Sequence, residues 1–375
     1  MQPNASDFVY CGKETLSGQY LRLFWHPVCL SRELAKGQAT PIRVLGEDYT
    51  LYRGEGGVPH VVDFRCPHRG LQLSVGSVKG DEIECRYHGW RFDELGQCVS
   101  QPGEAKPFCK KVSIGSYPAQ EAIGLVLAYF GPLPAPPLPQ WPEVEEASFI
   151  HRHRIDCNWF QSAENIVDGL HVHFAHRGST SRNTVHRGLP KVSAEETPFG
   201  LSQRVTHVNS TKLNHWVMPN TCHIIGGFSA IGTRTLFWYV PIDDTSHHHF
   251  IVAKRPDDTW IRRFRFKARQ VASRVLGRST GTFGSAREID EYFSRHARLV
   301  LSGERNLDAY GANLRLQDTV LMVGQGAIAD RSVEHLGTSD AAVILLRKIW
   351  RRELQLLAEG KPITPVVRPE TFDAV

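Results

Sequence analysis

A chain of 375 residues with 41% hydrophobic and 22% charged side chains has the composition of an ordinary globular protein, long enough for one large domain or two. Its formal charge of +5 and pI near 8.7 are too weak to imply a nucleic-acid partner. The longest apolar run, ten residues from Ala122 to Gly131, is about half of the ~20 needed to span a bilayer, and Met1-Gln-Pro-Asn-Ala-Ser lacks a signal-peptide pattern, so a cytoplasmic protein free of membranes is expected.

Up to about residue 130, short β-type runs alternate with Gly, Pro and Asp: Pro41-Ile-Arg-Val-Leu, Tyr49-Thr-Leu-Tyr-Arg, Pro59-His-Val-Val-Asp-Phe. The pattern predicts a small antiparallel β domain over residues 20–135. Inside it, Cys66-Pro-His68-Arg-Gly is followed by Cys85-Arg-Tyr-His88-Gly-Trp, with sixteen residues between His68 and Cys85, enough for a hairpin that brings two Cys-His loops together. Two thiolates and two imidazoles suit a Rieske [2Fe–2S] centre, with cysteines on one iron and histidines on the other. Zinc takes the same ligands, but zinc fingers usually pair Cys with Cys and His with His, whereas the order here is Cys-His, Cys-His. The other six cysteines, Cys11, Cys29, Cys98, Cys109, Cys157 and Cys222, show no ligand spacing and read as ordinary thiols.

Six prolines in the eleven residues 132–142 exclude a helix or central strand and mark a stiff linker. A second domain, 140–375, follows. Helical content from Asn158 to His176 gives way to strands over 200–255 and to helices from about 286. Val343, Leu346, Trp350, Leu354 and Leu357 step by three or four as a buried stripe, with Ser339 or Asp340 placed to cap the helix and Gly360 to end it. The fold class expected is α+β: an all-β domain, then an antiparallel sheet with helices packed on it.

The helical segment holds Asp168-Gly-Leu-His171-Val-His173-Phe-Ala-His176, a carboxylate and three histidines within nine residues. Two His and one carboxylate bind Fe(II) and leave positions open for O2 and substrate. Periodicity does not choose the pair, because His173 and His176 are one turn apart while His171 and His176 need an irregular helix. Asp308, Asp318, Asp330 and Asp340 are the candidates for a distant third ligand. His247-His-His249 reads as a turn entering a strand, whose alternating faces separate adjacent imidazoles. Nine Lys or Arg from Lys254 to Arg278, and Arg347, Lys348, Arg351 and Arg352 of the last helix, read first as solvated faces. Arg204 and Arg234 offer pairing with a substrate carboxylate, although an outward-facing arginine is the commoner case.

CPHRG…CRYHGW resembles the Rieske domain of the ring-hydroxylating oxygenases, and the likeness extends over nearly the whole chain. It implies that Cys66 and Cys85 ligate one iron of the cluster and His68 and His88 the other. The stretch from Asp168 resembles the family's Asp-x2-His-x4-His motif, which selects His171 and His176 for a mononuclear Fe(II) and leaves His173 a bystander. Asp168 then links that site to a cluster histidine of a neighbouring subunit. Gln317-Asp318-Thr-Val-Leu-Met-Val-Gly resembles the family's C-terminal signature, in which Asp318 completes the triad; the wording is closest to the phthalate-dioxygenase-like branch. The resemblance implies the terminal oxygenase component of a multicomponent system, a homotrimer using O2 to hydroxylate an aromatic substrate, carboxylated rings included. Electrons would come from a separate NAD(P)H-dependent reductase, directly or through a ferredoxin, since the chain has no G-x-G-x-x-G of its own. The alternatives are a monooxygenase acting on a methyl or methoxy group, ending in demethylation, and a mere Rieske electron carrier.

Overall fold

The computed structural model describes residues 7–145, 147, 149–176, 188–208, 210–225, 234–254, 286–311, 313–369 and 372. The basic stretch read from Lys254 to Arg278 lies, beyond Lys254, outside the described residues. Contacts divide the chain into two units, Met1–Gln140 with Val240–Asp244 and Leu354–Lys361, and Trp141–Tyr239 with Thr245–Glu353 and Pro362–Val375.

The first unit opens with helix α1 (Leu16–Arg22), whose first turn is capped by the Thr15 hydroxyl accepting from Gly18 N–H at 3.0 Å. Eleven short strands then form three antiparallel sheets. One joins β1 (Trp25–Leu30), β10 (Ala119–Ala122) and β11 (Leu125–Tyr129) in the order β1-β11-β10. A second joins β2 (Ala39–Val44), β3 (Glu47–Arg53), β4 (Pro59–Asp63) and β9 (Ser116–Tyr117). The third runs β5 (Ser77–Lys79), β6 (Glu82–Glu84), β7 (Arg91–Phe92) and β8 (Cys98–Ser100). The Pro- and Asp-flanked runs singled out in the sequence are β2, β3 and β4. Tyr52, Val62, Leu73, Ile83, Trp90 and Phe92 form a core that also takes in Cys66 and Cys85.

The second unit is built on one seven-stranded sheet. Its strands are β12 (Phe149–Ile155), β13 (Lys191–Thr197), β14 (Gly200–His207), β15 (Ser210–Val217), β16 (Thr221–Ile225), β17 (Arg234–Asp243) and β18 (Ser246–Lys254). From β13 to β18 it is a meander, and β12 pairs with β18 at its edge. Among the described residues five helices accompany it: α2 (Trp159–Val167), α3 (His171–Ala175), α4 (Ala286–Leu301), α5 (Leu314–Val323) and α6 (Ala341–Ala358). Phe293 and Ala297 of α4 pack against Leu316 and Val320 of α5. Trp159 and Phe160 of α2 meet Trp350 of α6 edge-on, at centroid distances of 5.3 and 5.9 Å.

Val343, Leu346, Trp350 and Leu354 of α6 are buried, Leu357 is half-buried, and Gly360 ends the helix at φ +66°. Lys348, Arg351 and Arg352 face solvent as expected. Arg347 does not. It is buried, with Nε 2.6 Å from Glu164 and Nη1 2.6 Å from Glu334, because the carboxylate of α2 draws it inward. No helix among the described residues is long and apolar enough to cross a membrane.

Candidate metal centres

Cys66 and Cys85 open two loops of the same build. Cys66 N–H donates to Leu71 O at 2.9 Å and Gly70 N–H to Cys66 O at 2.9 Å; Cys85 N–H donates to Trp90 O at 2.8 Å and Gly89 N–H to Cys85 O at 2.9 Å. Each six-residue loop therefore closes on itself through a left-handed fifth residue, Gly70 at φ +75° or Gly89 at φ +72°. The histidine is third in one loop and fourth in the other, so unequal spacing in sequence becomes equivalent placement in space.

The thiols lie in the apolar core, while His68 is half-buried and His88 exposed. The two imidazoles meet edge-to-face at 4.5 Å between centroids, and Trp90 stacks on His68 at 4.5 Å with the rings 4° from parallel. Burial, with the Cys85 thiol adding to it against the pull of the His68 amide, pushes the Cys66 thiol up to about 11. A single zinc ion would gather all four donors to roughly 3.8 Å of one another, from metal–sulfur bonds of about 2.3 Å. Among the described residues, only His171, His176 and Asp318 bring three such atoms within 4.8 Å. Thiols paired with thiols and imidazoles with imidazoles fit a two-iron cluster with one pair on each iron.

Asn158 starts α2, its side chain accepting from Phe160 N–H at 3.0 Å. The helix stops at Asp168-Gly169. A Cβ at Gly169 would sit 2.5 Å from Val205 Cγ2, so the turn passes too close to the sheet for any larger residue. Asp168 Oδ1 accepts from Leu170 N–H at 2.9 Å and His171 N–H at 3.2 Å and so begins α3. The break supplies the irregularity that a His171–His176 pair needs. Buried Gln203 and Asn214, from β14 and β15, hold the last carbonyls of α2, those of Val167 and Ile166.

His171 Nε2 lies 3.6 Å and His176 Nε2 3.1 Å from Asp318 Oδ1. The other ring nitrogens are occupied: His171 Nδ1 donates to Asp168 O, and His176 Nδ1 donates to Gln317 Oε1 at 2.8 Å. Both rings are thereby fixed with Nε2 toward Asp318. Asp318 Oδ1 is buried and has no hydrogen bond of good geometry. Burial pushes its carboxyl up, but the two imidazoles outweigh this and hold it well below the usual carboxylate range. Three lone pairs converging on one point, with an oxygen left unbonded, fit a divalent cation with open coordination positions.

The supports are cross-braced. Gln161 of α2 donates to Met322 O at 2.8 Å and Gly326 O at 3.0 Å, tying the histidine-bearing segment to the end of α5. Glu164 accepts from Arg331 at 2.7 Å and Arg347 at 2.6 Å. Of the other acids considered, Asp308 is exposed, and Asp330 and Asp340 accept from nearby amides of Ser332 and Gly337. His173 is not among the three converging donors. His247 is enclosed between Cys157 O and Ser162 Oγ, His248 accepts from Arg152, and His249 turns to a cavity, so the three adjacent imidazoles part as expected.

That cavity, of about 120 Å³, adjoins the triad and is lined by Ile166, Val172, Phe237, Tyr239, His249 and Ile251 among others. Neither Arg204, which is exposed on β14, nor Arg234 lines it. The cations that do are Lys212 of β15 and Arg315 of α5. These two and Gln317 are missing from the sequence reading; only its position beside Asp318 pointed to Gln317.

Residues 24–118 match the family model for the Rieske [2Fe-2S] domain. The chain is 30% identical to the 5,5'-dehydrodivanillate O-demethylase oxygenase subunit of Sphingobium sp., over 95% of this chain and 81% of that one. It is 29% identical to the phthalate 4,5-dioxygenase oxygenase subunit of Pseudomonas putida, over 92% and 84% of the two chains. Among solved structures, the NdmA QL mutant of Pseudomonas putida CBB5 with caffeine shares the fold at a TM-score of 0.66 and 20% identity, over 94% and 98% of the two chains.

Proposed function

Because the chain belongs to the Rieske non-haem iron oxygenases as an oxygenase component, we propose that its two donor sets divide the work of electron delivery and substrate oxidation between domains at 20–135 and 140–375. Cys66 and Cys85 hold one iron of the [2Fe–2S] cluster and His68 and His88 the other; His171, His176 and Asp318 hold a mononuclear iron(II). When bound there, that iron supplies open positions at which O2 is activated with electrons from the cluster.

The protein's own part is placement. Asp168 O and Gln317 Oε1 keep both imidazoles on the Nδ1–H tautomer, with the Nε2 lone pair free for a metal. Asp168 spends Oδ1 on capping α3, which leaves Oδ2 for the ring N–H of His88 in a neighbouring subunit. A head-to-tail homotrimer meets that requirement, because a heterologous ring gives every copy the same neighbour. A separate cytoplasmic NAD(P)H-dependent reductase, directly or through a ferredoxin, loads the cluster.

The reaction is hydroxylation of an aromatic substrate. Oxidative demethylation of a methyl or methoxy group is the second reading, favoured by the similarity to an O-demethylase subunit. Product identity separates them: a diol or phenol for the first, formaldehyde for the second. What supports the reading above all is the buried Asp318 Oδ1, unbonded and facing two imidazoles of fixed tautomer.

The experiment is an iron and acid-labile sulfide count with EPR of the dithionite-reduced protein. About three irons and two sulfides per chain are expected, falling to about two irons with unchanged sulfide in Asp318→Ala. Zinc without sulfide or a Rieske signal overturns the reading. An intact cluster with no O2 consumption, even with iron(II) and a reductase supplied, identifies an electron carrier instead.

A further inference from the structure

Among the described residues, five buried guanidinium groups are paired with carboxylates. Arg22 lies 2.7 Å from Glu47, Arg53 2.7 Å from Glu121, Arg331 2.7 Å and Arg347 2.6 Å from Glu164, and Arg368 2.9 Å from Glu143. This is what the cost of an unpaired buried charge demands. Among the described residues lining the cavity beside the triad, two cations depart from it.

Lys212 lies two residues before Asn214 on β15, so strand alternation turns it to the same helix-covered face. Part of its surface stays open to the cavity, yet its ammonium is shielded enough for burial to lower its pKa. Among the described residues it has neither a hydrogen bond nor an ion pair. Arg315 lies one turn before Asp318 on α5, with its guanidinium 5.8 Å from the Phe293 ring centroid and Nη1 buried without a hydrogen-bond partner. The one carboxylate among the residues lining the cavity is Asp318, already turned to the two imidazoles.

Much of the rest of the wall is apolar or aromatic, with Ser162, Asn165 and Thr319 as uncharged polar members. His249 packs 4.9 Å from Phe237 and 4.7 Å from Tyr239, and burial keeps His249 and His153 neutral. At about 120 Å³ the space is smaller than the roughly 150 Å³ of a dry cavity known to take benzene, which limits the occupant to a single ring.

Resting on the oxygenase reading, we propose that the substrate is a monocyclic aromatic carboxylate whose carboxylate pairs with Lys212, while its ring lies against Phe237, Tyr239 and His249. Arg315 adds a second positive charge that favours anions over neutral rings. Placing the carboxylate on β15 fixes which ring edge faces the triad, so Lys212 acts on regiochemistry as well as affinity.

The test uses holoenzyme with counted iron and sulfide. Calorimetric titration compares benzoate, phthalate, 3-methoxybenzoate and 4-methoxybenzoate with their uncharged amides. The acid that binds best should exceed its amide by about tenfold or more, as expected when a desolvated charge pair is made. Lys212→Met, close in volume, should bring acid and amide within about twofold of each other, with the amide's Kd unchanged, and Lys212→Arg should restore most of the preference. Wild-type protein that binds acids no better than amides overturns the proposal without any variant, and so does failure of all four acids to bind. An unchanged ratio in Lys212→Met also overturns it. Full metal content with any of these results removes the carboxylate anchor alone, whereas a triad that takes up no iron removes the oxygenase reading.

Discussion

Gln317→Leu tests whether the mononuclear site depends on a residue that touches no metal. Gln317 is buried, its Oε1 accepts from His176 Nδ1 at 2.8 Å, and its Nε2 donates to Gly311 O at 3.0 Å, which fixes the orientation of the amide. Leucine fills the space but leaves the Nδ1–H of an imidazole only 4% exposed without an acceptor. An orphaned buried donor costs about 1–3 kcal/mol. The histidine can avoid that cost by moving the proton to Nε2, which removes its lone pair from the metal. Loss of such a supporting bond typically weakens metal binding by about 10–100-fold, or about 1.4–2.7 kcal/mol at 1.4 kcal/mol per factor of ten. The two ranges agree. Iron release to a chelator, followed at increasing chelator concentration, should shift by that factor, while the Rieske EPR signal stays unchanged. Gln317→Glu, which keeps an acceptor, should retain iron as well as wild type or better. A Gln317→Leu protein that holds iron like wild type would show that the His176 tautomer is set by something else.

The parts legible in the sequence are those in which chemistry and spacing are local. Two Cys-His loops ending in glycine, β runs punctuated by turn residues and a stripe on the last helix each need only a short window. The choice of His171 with His176 was not available from periodicity, because it depends on the chain leaving the helix at Asp168-Gly169, and the need for glycine at that turn comes from Val205 on a strand some thirty-six residues later. Arg347 was misread for a related reason. Helical spacing says which residues share a face, but not that Glu164 waits opposite. The cavity's cations were hidden by the pattern itself: the covered face of β15 carries Lys212 and Asn214, which look solvent-facing until the helix carbonyl bonded to Asn214 is seen. Function makes polar residues inward-facing, and hydrophobic alternation therefore fails where the site lies.

Gly89→Ala places a Cβ 2.9 Å from Pro102 Cγ at φ +72°, a strain of about 1–3 kcal/mol, and should lower cluster occupancy read from visible absorbance; Gly103→Ala, with open space around it, should not. Glu164→Leu removes the carboxylate that pairs Arg331 and Arg347, leaving Arg347 only Glu334, so a loss of about 3–5 kcal/mol and a fall in Tm on the order of 10 °C are expected by calorimetry. Asp168→Asn keeps an oxygen to cap α3 and should retain both metals while steady-state turnover collapses; normal turnover would remove the proposed subunit wiring. Acid should destabilise the fold through its neutral histidines. His26 is fully buried beside Leu21 O at 2.7 Å, and burial lowers its pKa to about 4. An unfolded histidine titrates near 6.5, so between these values the unfolded chain binds the extra proton. The contribution of His26 is therefore complete above pH 6.5 and drains away as pH falls toward 4, by up to about 3 kcal/mol at 1.36 kcal/mol per pKa unit. His26→Gln, which retains a donor for Leu21 O, removes this titration but leaves every carboxylate in place. Urea midpoints measured from pH 7 to 4.5 should thus fall less steeply in the variant than in wild type, and parallel profiles would mean that His26 is protonated in the native state.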